Sequence, residues 1–315
     1  MKTITKEEFD EKVALHEAWV KDPYKGARLK LVDVDLRQFD LTGVNLSYAT
    51  LRHVDLTQTI FNRANLSHVD FEGANLSQAQ FCYADLTNVN LSHTDLSYTE
   101  FLSAKLFSAD LRHAKLVKTG MDIADLSYAK LDDANLDYAV IEKANLSHVT
   151  MTQANLTDAY LSNTTLTYVD LQRSILEGVY LDNANLSDAN LRHTHLENVE
   201  LRSAKLSRAD FTFSNLNCVN LIDANLIDAN LTNTQLNEVC LSEANTSGVK
   251  GLDVYSVDTI GTFKGRVTYV PSLNEVFAGC WDGDLEAFLE KGLVENQGVE
   301  ADKIRKVYEF FKVCS

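Results

Sequence analysis

From Leu31 to Leu241 every fifth residue is Leu, Phe, Met or Ile, 43 positions without a break. From Leu36 onward the residue two before each of these centres is Ala, Val, Thr or Ser, and Phe39 is the one large exception. The residue just before the centre is often Asp or Asn. The one just after is frequently Ser, Thr or charged, as in Ala184-Asn185-Leu186-Ser187-Asp188. An α-helix cannot use this period. Five residues advance it by about 500°, so successive centres would drift by roughly 140° and share no face. In extended chain, residues two apart point the same way. The small residue and the centre therefore point inward together, and the other three positions turn a corner and face water.

The small-residue track shows how many segments close a coil. Val179, Val199, Val219 and Val239 recur every 20 residues, as do Ser174, Thr194, Ser214 and Thr234. Four segments per coil predict a solenoid of nearly 11 coils. Stacked at the strand spacing of about 4.8 Å, they form a rod about 50 Å long. A leucine-rich repeat is excluded, because its unit of about 20–29 residues carries an internal L-x-x-L-x-L pattern.

The A(D/N)Lxx pattern resembles the pentapeptide-repeat family. The resemblance implies an all-β solenoid, a right-handed quadrilateral β-helix, working as a non-catalytic binding protein. Some members bind DNA gyrase or topoisomerase IV as acidic rods of DNA-like shape, so it further implies a DNA-binding enzyme as partner. It also implies a homodimer through the C-terminal region.

The ends of the array differ from it. We expect three parts: residues 1–30 as an N-terminal capping helix and lead-in, 31–249 as the β-helix, and 250–315 as a small α+β domain. Thr5 and Glu8 form a capping-box pattern ahead of a helix over 5–21. Phe9, Val13, Leu15, Trp19 and Val20 provide its apolar surface, and Asp22-Pro23 stops it. The array ends at Thr246, where Leu is expected. Strands are expected at 258–263, 266–270 and 275–281, with turns at Lys264-Gly265 and Pro271-Ser272. Asp284 begins a helix carrying Leu285, Phe288 and Leu289, with Gly292 as its stop. A second helix near 300–313 presents Ile304, Val307, Phe310 and Phe311. This domain resembles the short C-terminal domains joined to pentapeptide arrays in some phage-type proteins. Capping the rod, dimerising it, and docking a partner in a structural or assembly role are its open roles.

The chemistry-bearing motifs are absent. There is no GxSxG, P-loop, HExxH or GxGxxG, which predicts no enzyme and no cofactor. Five spread cysteines without ligand spacing predict no metal site and a reduced, cytoplasmic compartment. No stretch of about 18 apolar residues occurs, so no membrane span is expected. A net charge of −16 argues against direct nucleic-acid or anionic-membrane binding.

Residues 20 apart should sit above one another. His93 and His113 then stack, with His53 on the same line, and Tyr128, His148 and Tyr168 form an aromatic column, a candidate contact surface. Between residues 31 and 250 there are 28 acidic and 15 basic residues. Spread over about 50 Å, that is less than half the charge density of duplex DNA, which carries one charge per roughly 1.7 Å. From 209 to 249, however, there is no Lys or Arg, while Asp210, Asp223, Asp228, Glu238 and Glu243 remain. Their density approaches that of DNA, and Asp223 and Glu243 share one corner. These five residues are the candidate acidic partner surface.

Overall fold

A computed structural model describes residues 1–278 and 281–314. The repeat array is a β-solenoid of about ten turns. Parallel bridges step by 20 residues from Asp35↔Asp55 to Asn230↔Lys250, as four five-residue segments per turn require. The centres and the small residues before them are buried nearly without exception. The array runs one segment past Leu241, and Thr246 takes a centre position with little exposure.

One segment explains the motif. In Val44-Asn45-Leu46-Ser47-Tyr48 the Leu46 carbonyl accepts the Ala49 amide at 2.8 Å, closing a β-turn over Ser47 and Tyr48. Of those two only Tyr48 has a positive φ, +65°, which is type II geometry. Asn45 Oδ1 accepts the Ser47 amide at 3.1 Å. Asp or Asn precedes the centre because its side chain caps the turn two residues on. A following Ser or Thr adds a hydroxyl bond to the same oxygen, as Ser67 does to Asn65 at 2.8 Å. The remaining backbone groups pair along the rod, Leu46 N–H to Asn65 O and Asn65 N–H to Val44 O, both 2.9 Å. On one side of the last coils the turns open. The strands Ile175–Glu177, His195–Glu197, Asn215–Asn217 and Gln235–Asn237 pair there in parallel register.

The corner residue is left-handed in nearly every segment, a conformation that costs an L-residue roughly 1–2 kcal/mol. Asn, Asp, His and Gly tolerate it best, and β-branched side chains worst. Ile123 holds φ +58° with its side chain largely in water. Ile123→Asn should therefore stabilise the protein by about 1 kcal/mol. A urea midpoint that stays put or falls would refute this.

At the N-terminal end Lys2–Thr3 pairs in parallel with Val34–Asp35. Helix α1 (Lys6–Lys21) follows, with the Thr5–Glu8 capping box formed and Asp22 as its C-cap. Phe9 is fully buried with its ring edge-on to Phe39, centroids 5.6 Å apart. That contact is why Phe39 breaks the small-residue rule. The expected apolar face of α1 needs correction. Leu15 is half exposed, and His16 is buried in its place. The reason is a hydrogen bond that periodicity cannot show: the Leu29 amide donates to His16 Nδ1 at 3.1 Å.

Accepting that bond requires a neutral imidazole. Burial lowers the His16 pKa from its usual 6.5, outweighing the Leu46 and Ser47 carbonyls, which raise it. The unfolded chain therefore takes up the proton first as pH falls. The His16 contribution is complete above pH 6.5 and is lost progressively below it. Between about pH 7 and pH 5 the urea midpoint should fall more in the wild type than in His16→Gln, which accepts the Leu29 amide without titrating. Equal falls would show that His16 is not the group responsible.

The C-terminal domain is a four-stranded antiparallel sheet under two helices. Its strands, Tyr255–Ile260, Phe263–Val270, Glu275–Ala278 and Trp281–Asp284, follow chain order across the sheet. Three expectations change. The first hairpin turns at Gly261-Thr262, where Gly261 has φ +59°, and not at Lys264-Gly265. The latter pair lies inside a strand, where the register shifts between Phe263 and Arg266, so the glycine marks a bulge. The expected 275–281 strand ends at Ala278, and a separate fourth strand begins at Trp281; Gly279 and Cys280 lie outside the described residues. Helix α2 (Leu285–Glu295) does not stop at Gly292. A Cβ there would sit 2.6 Å from Ile304 Cγ2, so this glycine lets α2 approach α3 (Val299–Val313). Asn296 is the C-cap. On α3, Ile304 and Phe311 are buried, and Tyr308 joins them while Phe310 is half exposed.

The sheet has two covered faces. Val267, Tyr269, Val276 and Ala278 pack with Phe288, Ile304 and Phe311. Val270 and Phe277, on the opposite face, belong to the same buried cluster as the solenoid core. Arg266 ties the junction, its amide donating to Glu243 Oε2 at 3.0 Å and its Nη1 to the Ala244 carbonyl at 3.1 Å.

Candidate binding surfaces

The outward surface is organised in columns, because corner residues 20 apart are stacked by the hydrogen-bonded step of the coil. The rings of Tyr128 and His148 lie 4.7 Å apart at 9°, and those of His148 and Tyr168 4.9 Å apart at 4°. All three are exposed, so the column expected from the sequence exists as one flat aromatic strip. Below it Asp188 binds Arg208 through two bonds of 2.7 and 2.6 Å. His93 and His113 stack at 4.7 Å. His53 shares their line but is separated from them by Gly73, where a Cβ would lie 2.4 Å from His53 Nδ1. Among the described residues, no group of His, Cys, Asp and Glu is arranged to hold a metal ion.

Further rings stack at the same 20-residue step without having been singled out from the sequence: Tyr48–His68, Tyr160–Tyr180 and His193–Phe213, with centroids 4.6, 5.0 and 5.2 Å apart. Lys118 Nζ lies between the rings of Tyr98 and Tyr138, 5.7 and 5.6 Å from their centroids. Lys118 interrupts the aromatic line of Tyr98 and Tyr138, so the spacing of aromatic residues alone does not reveal this column. Tyr138 also donates to Asp158, which holds its phenol pKa up.

The five acidic candidates do not form one patch. Asp223 and Glu243 stack on one corner, Asp228 occupies a second and Glu238 a third, as their spacing modulo the 20-residue step requires. Asp210 caps its own turn by accepting the Thr212 amide at 2.9 Å. Glu238 accepts from Cys218 Sγ at 3.1 Å, an interaction that raises the thiol pKa. Glu243 already accepts the Arg266 amide. Asp223, Asp228 and Glu238 are exposed, whereas Asp210 and Glu243 are partly buried.

Columns of surface side chains on a four-sided, parallel-bridged frame define a β-solenoid repeat protein whose exterior is set by its corners. A model of pentapeptide repeats matches in eight copies, over residues 28–63, 40–78, 59–97, 84–121, 124–153 and 204–242, and a pentapeptide repeat region matches 149–221. The chain belongs to the pentapeptide-repeat family. Residues 250–315 lie outside these matches. Among solved structures it is similar to HetL, a pentapeptide-repeat protein involved in heterocyst differentiation regulation from the cyanobacterium Nostoc. The identity is 28%, over 71% of this chain and 90% of that one, with a TM-score of 0.29. It is also similar to QnrB1, a plasmid-mediated fluoroquinolone resistance protein, at 15% identity, over 67% of this chain and 92% of that one, with a TM-score of 0.31. Curated proteins yield no match. Among the described residues, no helix is long and apolar enough to cross a membrane.

Proposed function

We propose that this protein is a non-catalytic binding rod that engages a partner protein with its outer columns. The observation that carries this reading is the Tyr128–His148–Tyr168 strip, three exposed rings already held parallel by the coil step. Side chains ordered before binding lose little entropy on contact, and aromatic groups are enriched in interfaces.

The more specific form of the proposal is an acidic DNA mimic that modulates an enzyme such as DNA gyrase. Net charge supports it, and so does the run from 209 to 249 without Lys or Arg. The acidic residues there occupy three of the four corners. A duplex likewise carries charge around its circumference instead of on one face. In a supercoiling assay the purified protein should inhibit gyrase at micromolar concentration, and Asp223→Asn with Asp228→Asn should weaken the inhibition. Absence of inhibition together with absence of binding would overturn the gyrase form.

A second reading, an assembly role with docking through the C-terminal domain, draws on Val294, Val299, Phe310 and Val313, which stand exposed on α2 and α3. Self-association through the same helices would give a homodimer. Light scattering after size exclusion decides that point, with Phe310→Asp expected to return a dimer to monomer.

A further inference from the structure

Where the C-terminal domain meets the last coils, a cleft of about 840 Å³ opens to solvent. Its solenoid wall consists of Ile222, Asp223, Cys240, Ser242 and Glu243, and its other wall includes Phe263, Ala278, Trp281 and Asp282. The lining is thus an apolar trough edged by carboxylates from two separate structural units. The volume is that of a pocket for a small ligand or a few side chains.

Among the described lining residues, Asp223, Glu243, Asp282 and Glu295 stand against one cation, Lys291. Its Nζ is bound to Glu295 Oε1 at 2.7 Å, and Thr262 Oγ1 donates to the same carboxylate at 2.9 Å. That pair neutralises itself. Arg266, which donates to the Ala244 carbonyl at the junction, is not among the residues lining the trough. Asp223, Glu243 and Asp282 therefore face the trough as an excess of negative charge. The Asp223 carboxylate makes no hydrogen bond or ion pair to a described residue. Trp281 is only half buried and lies 5.9 Å from Phe263, which gives the trough an indole wall.

We propose that this cleft is a docking groove for a basic segment of a partner protein, one arginine or lysine lying against Trp281 between Asp223, Glu243 and Asp282. The inference rests on the protein-binding reading above and names the chemistry of the partner at this one place. Charge complementarity selects the occupant. A guanidinium or ammonium group meets carboxylates on both walls and the face of an indole, where cations are attracted to the ring. Apolar neighbours in the same segment cover Ile222, which is only partly buried. An anionic segment would meet three carboxylates of like sign.

The chain has two tryptophans, so Trp19→Phe leaves Trp281 as the sole reporter. The probe is a synthetic peptide with a single arginine between two leucines, titrated into the full-length protein. A saturable change in Trp281 emission is expected. Asp223→Asn with Glu243→Gln should weaken binding by about tenfold or more. Glu7→Gln with Glu11→Gln removes the same charge from α1 and should change binding by less than about twofold. Replacing the arginine of the peptide by citrulline should cost about tenfold as well. Any of four results overturns the proposal: no saturation, equal weakening by the α1 variant, undiminished binding of the citrulline peptide, or a dimer that the cleft variant converts to monomer. The last would make the occupant a second copy of this chain. Circular dichroism on the cleft variant separates misfolding from lost contact, and Asp282→Asn alone repeats the test without touching the Arg266 contact. Peptide binding without any gyrase effect would keep the cleft and remove the gyrase form. Gyrase inhibition by the protein with its cleft intact, without saturable peptide binding, would do the reverse.

Discussion

Phe81→Ala should destabilise the solenoid by about 3–5 kcal/mol. Phe81 is fully buried, with Phe61 stacked on one side at 5.1 Å and Phe101 on the other at 4.8 Å. Each coil touches only its neighbours, so a lost ring weakens two interfaces at once. The frame cannot collapse into the void, because every segment is held at the strand spacing by bonds such as Phe81 N–H to Glu100 O, 2.7 Å. Urea denaturation followed by far-ultraviolet circular dichroism should show the lower midpoint. Hydrogen exchange should rise first in coils next to Phe81, with the Leu181–Leu221 coils still protected. Phe81→Leu, which keeps most of the volume, should cost only about 1 kcal/mol. A loss below that from the alanine variant would mean that the stack contributes little.

Removing residues 253–315 should turn the rod into a self-associating species. Val270 and Phe277 are the side chains that the C-terminal sheet contributes to the buried cluster of the solenoid core. Without them the last coil presents part of that cluster to water beside unpaired strand edges, an invitation to end-to-end pairing. Light scattering should report dimers or larger species for the truncated chain. Phe277→Asp in the full-length protein should produce a milder form of the same behaviour and lower the stability by about 3 kcal/mol or more. A truncated chain that stays a monodisperse monomer would show that the domain is not needed as a cap.

Much of the fold was legible because the repeat is a local code. The positions two before each centre and the centre itself reported the interior, and the 20-residue recurrence of Val179, Val199, Val219 and Val239 reported the four sides. Phe39 stood out in the sequence only as an exception, and the structure supplies its reason, the contact with Phe9. The candidate site was legible only in part. The Tyr128–His148–Tyr168 column followed from spacing. The five acidic residues, close in sequence, were dispersed by the same spacing to three corners and a turn cap. At the C-terminal end the residue types were read for their usual local uses, and packing overrode two of them. Gly292 serves close approach to Ile304 instead of a helix stop, and Lys264-Gly265 lies at a bulge instead of a turn.

By itself the sequence determined the solenoid, its four-sided coil, the inside or outside assignment of nearly every residue from 31 to 241, and the capping box that starts α1. A side-chain direction that repeats every five residues is a property of neighbouring dihedral angles, so it can be read without knowing what lies far away. Tertiary structure alone decided that His16 and not Leu15 faces the core, that the C-terminal sheet adds Val270 and Phe277 to the buried cluster of the solenoid, and that Asp223 and Glu243 meet Trp281 and Asp282 across a cleft. Those contacts join surfaces that share no period. Only shape, buried apolar area and individual hydrogen bonds between distant parts of the chain select them.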